Sequence, residues 1–166
     1  NERNQFQAAY EAMDPAQRHR LARAFIDAYP QSWLLAQAYD AAARSSIDLG
    51  NYEAALREGR FSLRLMPENA TLLVLMANVE AQSGLLDEAE RSARDALDYL
   101  QQFARPGYLT EDQWHLLQPQ LKASAYFALG RAYAVKAARE RTNPHKLLVQ
   151  AEDALQYIEA EWEELP

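Results

Sequence analysis

Residues recur at a spacing of 34 along the middle of this chain. Ala36 is matched by Ala70, Ala43 by Ala77, Gly50 by Gly84 and Ala55 by Ala89. Arg57, Arg60 and Leu63 are matched in the same way by Arg91, Arg94 and Leu97. These seven identities fall within the 31 residues from Ala36 to Met66, on turn and helix-contact positions. A repeat of this length is one supersecondary unit that cannot bury its apolar face alone, so units have to stack on their neighbours. Composition says which elements fill the period. The chain holds 31 Ala and 23 Leu but only ten Val, Ile and Thr together. Helices favour the first pair and strands the β-branched residues, so a sheet is almost excluded. At 166 residues the expectation is a single all-α domain, 1–166, of about eight helices.

Breakers mark where those helices end. Asp14-Pro15 reads as an N-cap followed by Pro in the first turn, and Asn143-Pro144 reads the same way. Tyr29-Pro30-Gln31-Ser32 closes a helix, with Ser32 able to cap the next. Gly50 and Gly84 suit the left-handed position that ends a helix. Met66-Pro67 and Arg105-Pro106-Gly107 are further breaks. Thr110-Glu111-Asp112-Gln113 has the form of a capping box. Pro119, inside an otherwise helical run, is expected to kink or restart it.

The formal net charge is −7, and six acids lie between Glu152 and Pro166 with no Lys or Arg among them, leaving the rest of the chain at −1. An acidic domain is a poor binder of nucleic acid or of an anionic membrane. Cys is absent, which removes disulfides, thiolate chemistry and Cys-based metal sites. No apolar run approaches a membrane span, so no direct membrane insertion is expected. The three histidines, His19, His115 and His145, stand on separate stretches and read as exposed helix-surface residues. No nucleotide-binding or hydrolase motif occurs, and neither an enzyme active site nor a cofactor is expected. Glu53–Arg57 and Asp87–Arg91 read as helix-stabilising pairs four residues apart.

The repeat resembles the tetratricopeptide family. With a unit at 36–69, that family's contact and turn positions fall on Tyr39, Ala42, Ala43, Gly50, Ala55, Ser62 and Pro67. A unit at 70–103 gives Leu73, Met76, Ala77, Gly84, Ala89, Ala93 and Ala96. A third unit, 123–162, offers Tyr126, Leu129, Gly130, Ala132 and Tyr133, then a long turn. It closes on an acidic capping helix over 143–162 with Ala151 and Ala154 on its packing face. Residues 15–30 fit the second helix of a partial unit, and 104–122 stand as an insertion. Ser46, Gly59 and Glu80 depart from the pattern, since large apolar residues are usual there. The run Tyr29 to Ser32, with Ala36, Ala38, Tyr39 and Ala43, resembles a subtype common in bacterial cell-envelope proteins. That implies a periplasmic or envelope location over a cytoplasmic one.

The resemblance implies a right-handed superhelix of antiparallel helix pairs whose concave groove holds a peptide or protein segment. Carried over, the groove residues are Gln37, Asp40, Arg44 and Ile47, with Asp48; then Thr71, Val74, Asn78 and Gln82, with Ala81. The third unit adds Phe127 and Arg131, with Ser124, Ala134 and Val135. Arg44, Asn78 and Arg131 offer donors that suit a partner's carboxylates. The alternative is that these Arg side chains bridge repeats or sit solvated. Asp40 and Leu75 stand where the chaperone-tail-binding subfamily has Lys and Asn, so chaperone tails are not the expected ligand.

The aromatic residues Phe103, Tyr108 and Trp114 of the insertion, with Leu116 and Leu117, either pack on the adjacent units or form a lip over the groove. The tail, with Tyr157, Ile158, Trp162 and Leu165, caps an end with its charged face solvated, or meets a basic partner or the groove of another copy. The function expected is a non-enzymatic interaction scaffold. A self-associating homo-oligomeric module, or an accessory domain of a longer chain, is the alternative. The chain opens on Asn1 rather than Met, which suggests a processed or truncated piece.

Overall fold

In a computed structural model the chain is described over residues 1–102, 105–107 and 109–163, the side chains of 161–163 excepted. Among the described residues there are eight α-helices and no strand. They are α1 (Glu2–Glu11), α2 (Pro15–Ala28), α3 (Leu35–Asp48), α4 (Tyr52–Leu65), α5 (Ala70–Gln82), α6 (Leu86–Gln102), α7 (Glu111–Arg139) and α8 (His145–Glu163). They form two compact units, 1–72 and 73–166.

In the first unit α1 packs on α2, α2 on α3 and α3 on α4, each folding back on its predecessor across a short turn. Asp14 starts α2 as expected: its Oδ2 accepts from Gln17 N at 2.7 Å, with Pro15 behind it. Ser32 acts differently from expectation. Helix α3 begins at Leu35 with no side-chain cap. The Ser32 hydroxyl accepts from Leu34 N at 3.0 Å and donates to Glu2, tying the start of α1 to the α2–α3 loop. The core is built on Phe25, which is fully buried and meets Phe6 edge-on at 5.5 Å and Tyr29 at 5.1 Å. Ala22, Ala38, Ala41 and Ala42 fill the space around it.

The two turns that are 34 residues apart are built alike. Gly50 and Gly84 hold φ of +71° and +78°, the left-handed region that other residues avoid. Around the first, Gly50 N donates to Ile47 O at 2.9 Å and Asn51 N to Ser46 O at 2.8 Å. Around the second, Gly84 N donates to Ala81 O at 3.3 Å and Leu85 N to Glu80 O at 2.9 Å. Both are Schellman closures, which satisfy the last carbonyls of a helix. Asn51 then opens α4, its Oδ1 accepting from Ala54 N at 3.2 Å.

In the second unit α6 packs on α7 and α7 on α8. Ala81 of α5, Leu86 and Ala89 of α6 and Ala132 of α7 share one buried cluster. The capping box at Thr110 forms, with Thr110 N donating to Gln113 Oε1 at 2.9 Å and Gln113 N to Thr110 Oγ1 at 3.2 Å. The helix it opens runs for 29 residues and does not restart at Pro119. Proline removes one ladder bond, but the half-buried Trp114, Leu117 and Leu121 keep the helical period on both sides of it. Most of the expected insertion is therefore an extension of α7. Phe103, Tyr108 and Leu165 lie outside the described residues, as does the Trp162 side chain. Helix α8 starts at His145 rather than Asn143, and Asn143 Oδ1 accepts from His145 N at 3.4 Å.

Gly130 marks the close approach of α7 to α8: a Cβ built there meets Ala151 O, Ala154 Cβ and Leu155 Cδ2, each at 3.6 Å, which is ordinary contact. The space thus admits a methyl group, whereas Gly50 is held by its backbone. Gly130→Ala is expected to raise stability by about 0.5–1 kcal/mol through helix propensity. Gly50→Ala is expected to lower it by about 1–2 kcal/mol through the left-handed φ. Urea unfolding of the two variants beside wild type checks both signs.

Candidate interaction surface

The charged groove residues expected in the first unit, Asp40, Arg44 and Asp48, are tied up internally. Arg44 Nε donates to Asp40 Oδ1 and Oδ2 at 2.9 and 3.0 Å, and its Nη2 donates to Thr71 Oγ1 at 2.9 Å. Thr71 in turn donates to Asn69 Oδ1 at 2.8 Å. This guanidinium bridges α3 to the start of α5, the alternative role stated for it. Asp48 pairs with Arg18, whose Nε also donates to Ser45 Oγ at 2.8 Å. Gln37 and Ile47 are half-buried, and Gln37 Oε1 is a buried acceptor with no partner among the described residues.

In the second unit the expected residues separate into core and surface. Val74, 2% exposed, and Ala81 are core and line no surface. Asn78 Nδ2 donates to Val74 O at 2.9 Å and to Ser124 Oγ and O at 3.1 and 3.3 Å, joining α5 to α7. Gln82 is exposed. Phe127 and Arg131 are one turn apart on the outer face of α7. Phe127 is 52% exposed, and Arg131 is exposed with no hydrogen bond or ion pair among the described residues. Ala134 continues that exposed face, while Val135 is half-buried.

Two polar networks were not legible in the sequence. The first corrects the reading of His19 as a surface residue. Its Nε2 lies 2.9 Å from Oε1 of Glu58, which is only 6% exposed, and Ser46 Oγ donates to the other carboxylate oxygen at 2.8 Å. The second unit repeats this link with the residue types exchanged: Ser92 Oγ donates to Oε2 of Glu80, 3% exposed, at 2.7 Å. The residues 34 beyond Ser46 and Glu58 are Glu80 and Ser92. Comparing only identities at that spacing hides the exchange; comparing pairs of residues would have exposed it.

The other network centres on Glu90. Its Oε1 accepts from Tyr133 OH at 2.7 Å and Arg94 Nε at 3.2 Å, and its Oε2 from Lys136 Nζ at 2.7 Å. Asp87 pairs with Lys136 at 2.7 Å instead of with Arg91. Burial pushes the Glu90 carboxyl up, but the donors Lys136, Tyr133 and Arg94 outweigh it and hold the carboxyl below the usual 4.5. Burial and the neighbouring Glu90 carboxylate raise the Tyr133 phenol. For Lys136, burial acts downward and is outweighed by Asp87 and Glu90, which leave the ammonium raised. An open cleft beside this network, lined by Gly84, Leu86, Lys136, Arg139 and Leu147, has its central amine already paired.

Among the described residues no group of three or more His, Cys, Asp or Glu could hold a metal ion, and no helix is long and apolar enough to cross a membrane. No protein-family model matches the sequence, and no curated protein matches it.

His19→Ala leaves Glu58 Oε1 buried without its partner and is expected to cost about 1–3 kcal/mol. Thermal unfolding checks this against His145→Ala, at an exposed site, which is expected to change little. Because folding lowers the Glu90 pKa, its contribution is complete above the unfolded value near 4.5 and is lost as pH falls through the lower folded value. Glu90→Gln should therefore flatten the acid limb of a stability-versus-pH curve, and parallel limbs would show that the network stores no such energy.

Proposed function

We propose that this chain is a tetratricopeptide-type, non-enzymatic interaction module that binds a peptide or protein segment. The observation that carries the reading is the Phe127–Arg131 pair on α7: an exposed aromatic and, one turn on, a guanidinium with no hydrogen bond or ion pair among the described residues. Arg binds carboxylates in bidentate fashion, and a half-exposed Phe supplies apolar contact beside it. The ligand this pair fits is an acidic segment with an apolar or aromatic side chain near its carboxylate. Support for the family comes from the Schellman turns and the small-residue contacts that recur at the spacing of 34. The right-handed superhelical stacking follows from the same resemblance. The Tyr29 to Ser32 signature supports a bacterial cell-envelope setting.

Of the two arginines first assigned to a groove, only Arg131 is free to meet a ligand. A peptide array of acidic and basic sequences, followed by fluorescence anisotropy on the hits, tests the proposal. Arg131→Glu is expected to weaken acidic-peptide binding at least about tenfold, in line with the strength of a charge-assisted hydrogen bond. Arg44→Glu is expected to lower stability through the lost Asp40 and Thr71 bonds. Unchanged binding by Arg131→Glu would overturn the assignment of this face.

A further inference from the structure

The outer faces of α4 and α8 are complementary in charge and in spacing. On α4, Arg57, Phe61 and Arg64 lie along one exposed stripe, with Phe61 45% exposed. Phe61 stacks on Tyr39 at 5.1 Å, and the Arg64 guanidinium lies over its ring at 4.1 Å. The aromatic ring and one cation are thus held in place before anything docks. Arg64 makes no ion pair among the described residues, and Arg57 pairs only with the exposed Glu53. On α8, Glu152, Leu155 and Glu159 form the matching stripe. Leu155 is 52% exposed, and neither Glu makes an ion pair among the described residues.

The intervals run in opposite directions. Phe61 stands four residues after Arg57 and three before Arg64, while Leu155 stands three after Glu152 and four before Glu159. Laid antiparallel with Leu155 against Phe61, two helices place Glu159 by Arg57 and Glu152 by Arg64. The charges on each helix are then about 10.5 Å apart along the axis, since each residue rises about 1.5 Å. We propose that α8 of one molecule docks antiparallel on α4 of a second copy of this chain through these three pairs. The contact is small and rimmed by exposed charges, so the association is weak, rises with concentration and is screened by salt.

Sedimentation equilibrium over a concentration series up to about 1 mM tests the proposal, in about 0.05 M and about 0.5 M NaCl. Wild type is expected to exceed its monomer mass of 18.9 kDa at low salt and to fall back towards it at high salt. Arg57→Glu/Arg64→Glu and Glu152→Arg/Glu159→Arg are each expected to remain monomeric, and the chain carrying all four changes to associate again. Far-UV circular dichroism verifies that each variant is helical. Should reversal disturb folding, Arg64→Gln and Glu159→Gln read the same contact as a rise of about threefold in the dissociation constant. A wild type that is monomeric throughout, reversed variants that associate like wild type, or a helical four-fold variant that does not regain association would each overturn the proposal.

Discussion

Two helices can approach closely only where the facing side chains are small, and this chain depends on that constraint. Ala22, Ala42, Ala43 and Ala55 in the first unit are fully buried, as are Ala77, Ala89, Ala93, Ala96, Ala125, Ala128 and Ala132 in the second. A buried methyl removes little apolar surface by itself, at about 0.8 kcal/mol per methylene-sized group. What it permits is dense contact between helix backbones, where many weak dispersion terms add up. Phe25, Leu72, Met76 and Leu100 supply the larger fully buried side chains. With so much of the interface made of Ala, the crossings also need directional bonds to fix their register, and polar side chains supply these.

Those bonds explain where the repeat departs from its own pattern. A buried carboxylate without partners would be expensive. Glu58 is met by Ser46 and His19, and Glu80 by Ser92. In each unit a Ser and a Glu separated by 12 residues link the two helices of a pair, and the units differ in which helix carries the acid. The exchange keeps one hydroxyl-to-carboxylate bond in both units while changing both residue identities. Ser62, donating to Ala36 O at 2.8 Å, adds a second link in the first unit; its counterpart 34 residues on is Ala96. Ser46 and Glu80, which look like errors in the repeat, are therefore equivalent members of two like Ser–Glu links, one in each unit.

Local signals in the sequence were sufficient for most helix boundaries. Asp14-Pro15, Gly50, Gly84 and Thr110 act through bonds to residues at most five positions away, and each formed as its neighbours required. The small-residue positions Ala43, Ala55, Ala77 and Ala89 were legible because a fixed period repeats them. Long-range polar partners were not. His19 finds Glu58 across 39 residues, Arg44 finds Thr71 across 27, and Asn78 finds Ser124 across 46. No local pattern encodes such separations. Pro119 does not restart its helix, since a strong cap upstream and an apolar stripe on both sides outweigh one missing ladder bond.

The same separation governs the candidate surface. A register carried over from a family names positions, and at a polar position the side chain can turn to a neighbouring helix or to a ligand. Arg44 and Asn78 turn inward, because Asp40, Thr71, Val74 and Ser124 present acceptors within 3.3 Å. Arg131 has the same chemistry as Arg44, yet no carboxylate stands four residues before it: Phe127 occupies the place that Asp40 holds relative to Arg44. Arg44 has both that carboxylate on its own helix and Thr71 on the next to bond, whereas Arg131 stands exposed one turn from Phe127 with no bond among the described residues. Whether an arginine meets a neighbour or solvent thus depends on the acceptors its own helix and the adjoining one present, which a register of positions does not contain.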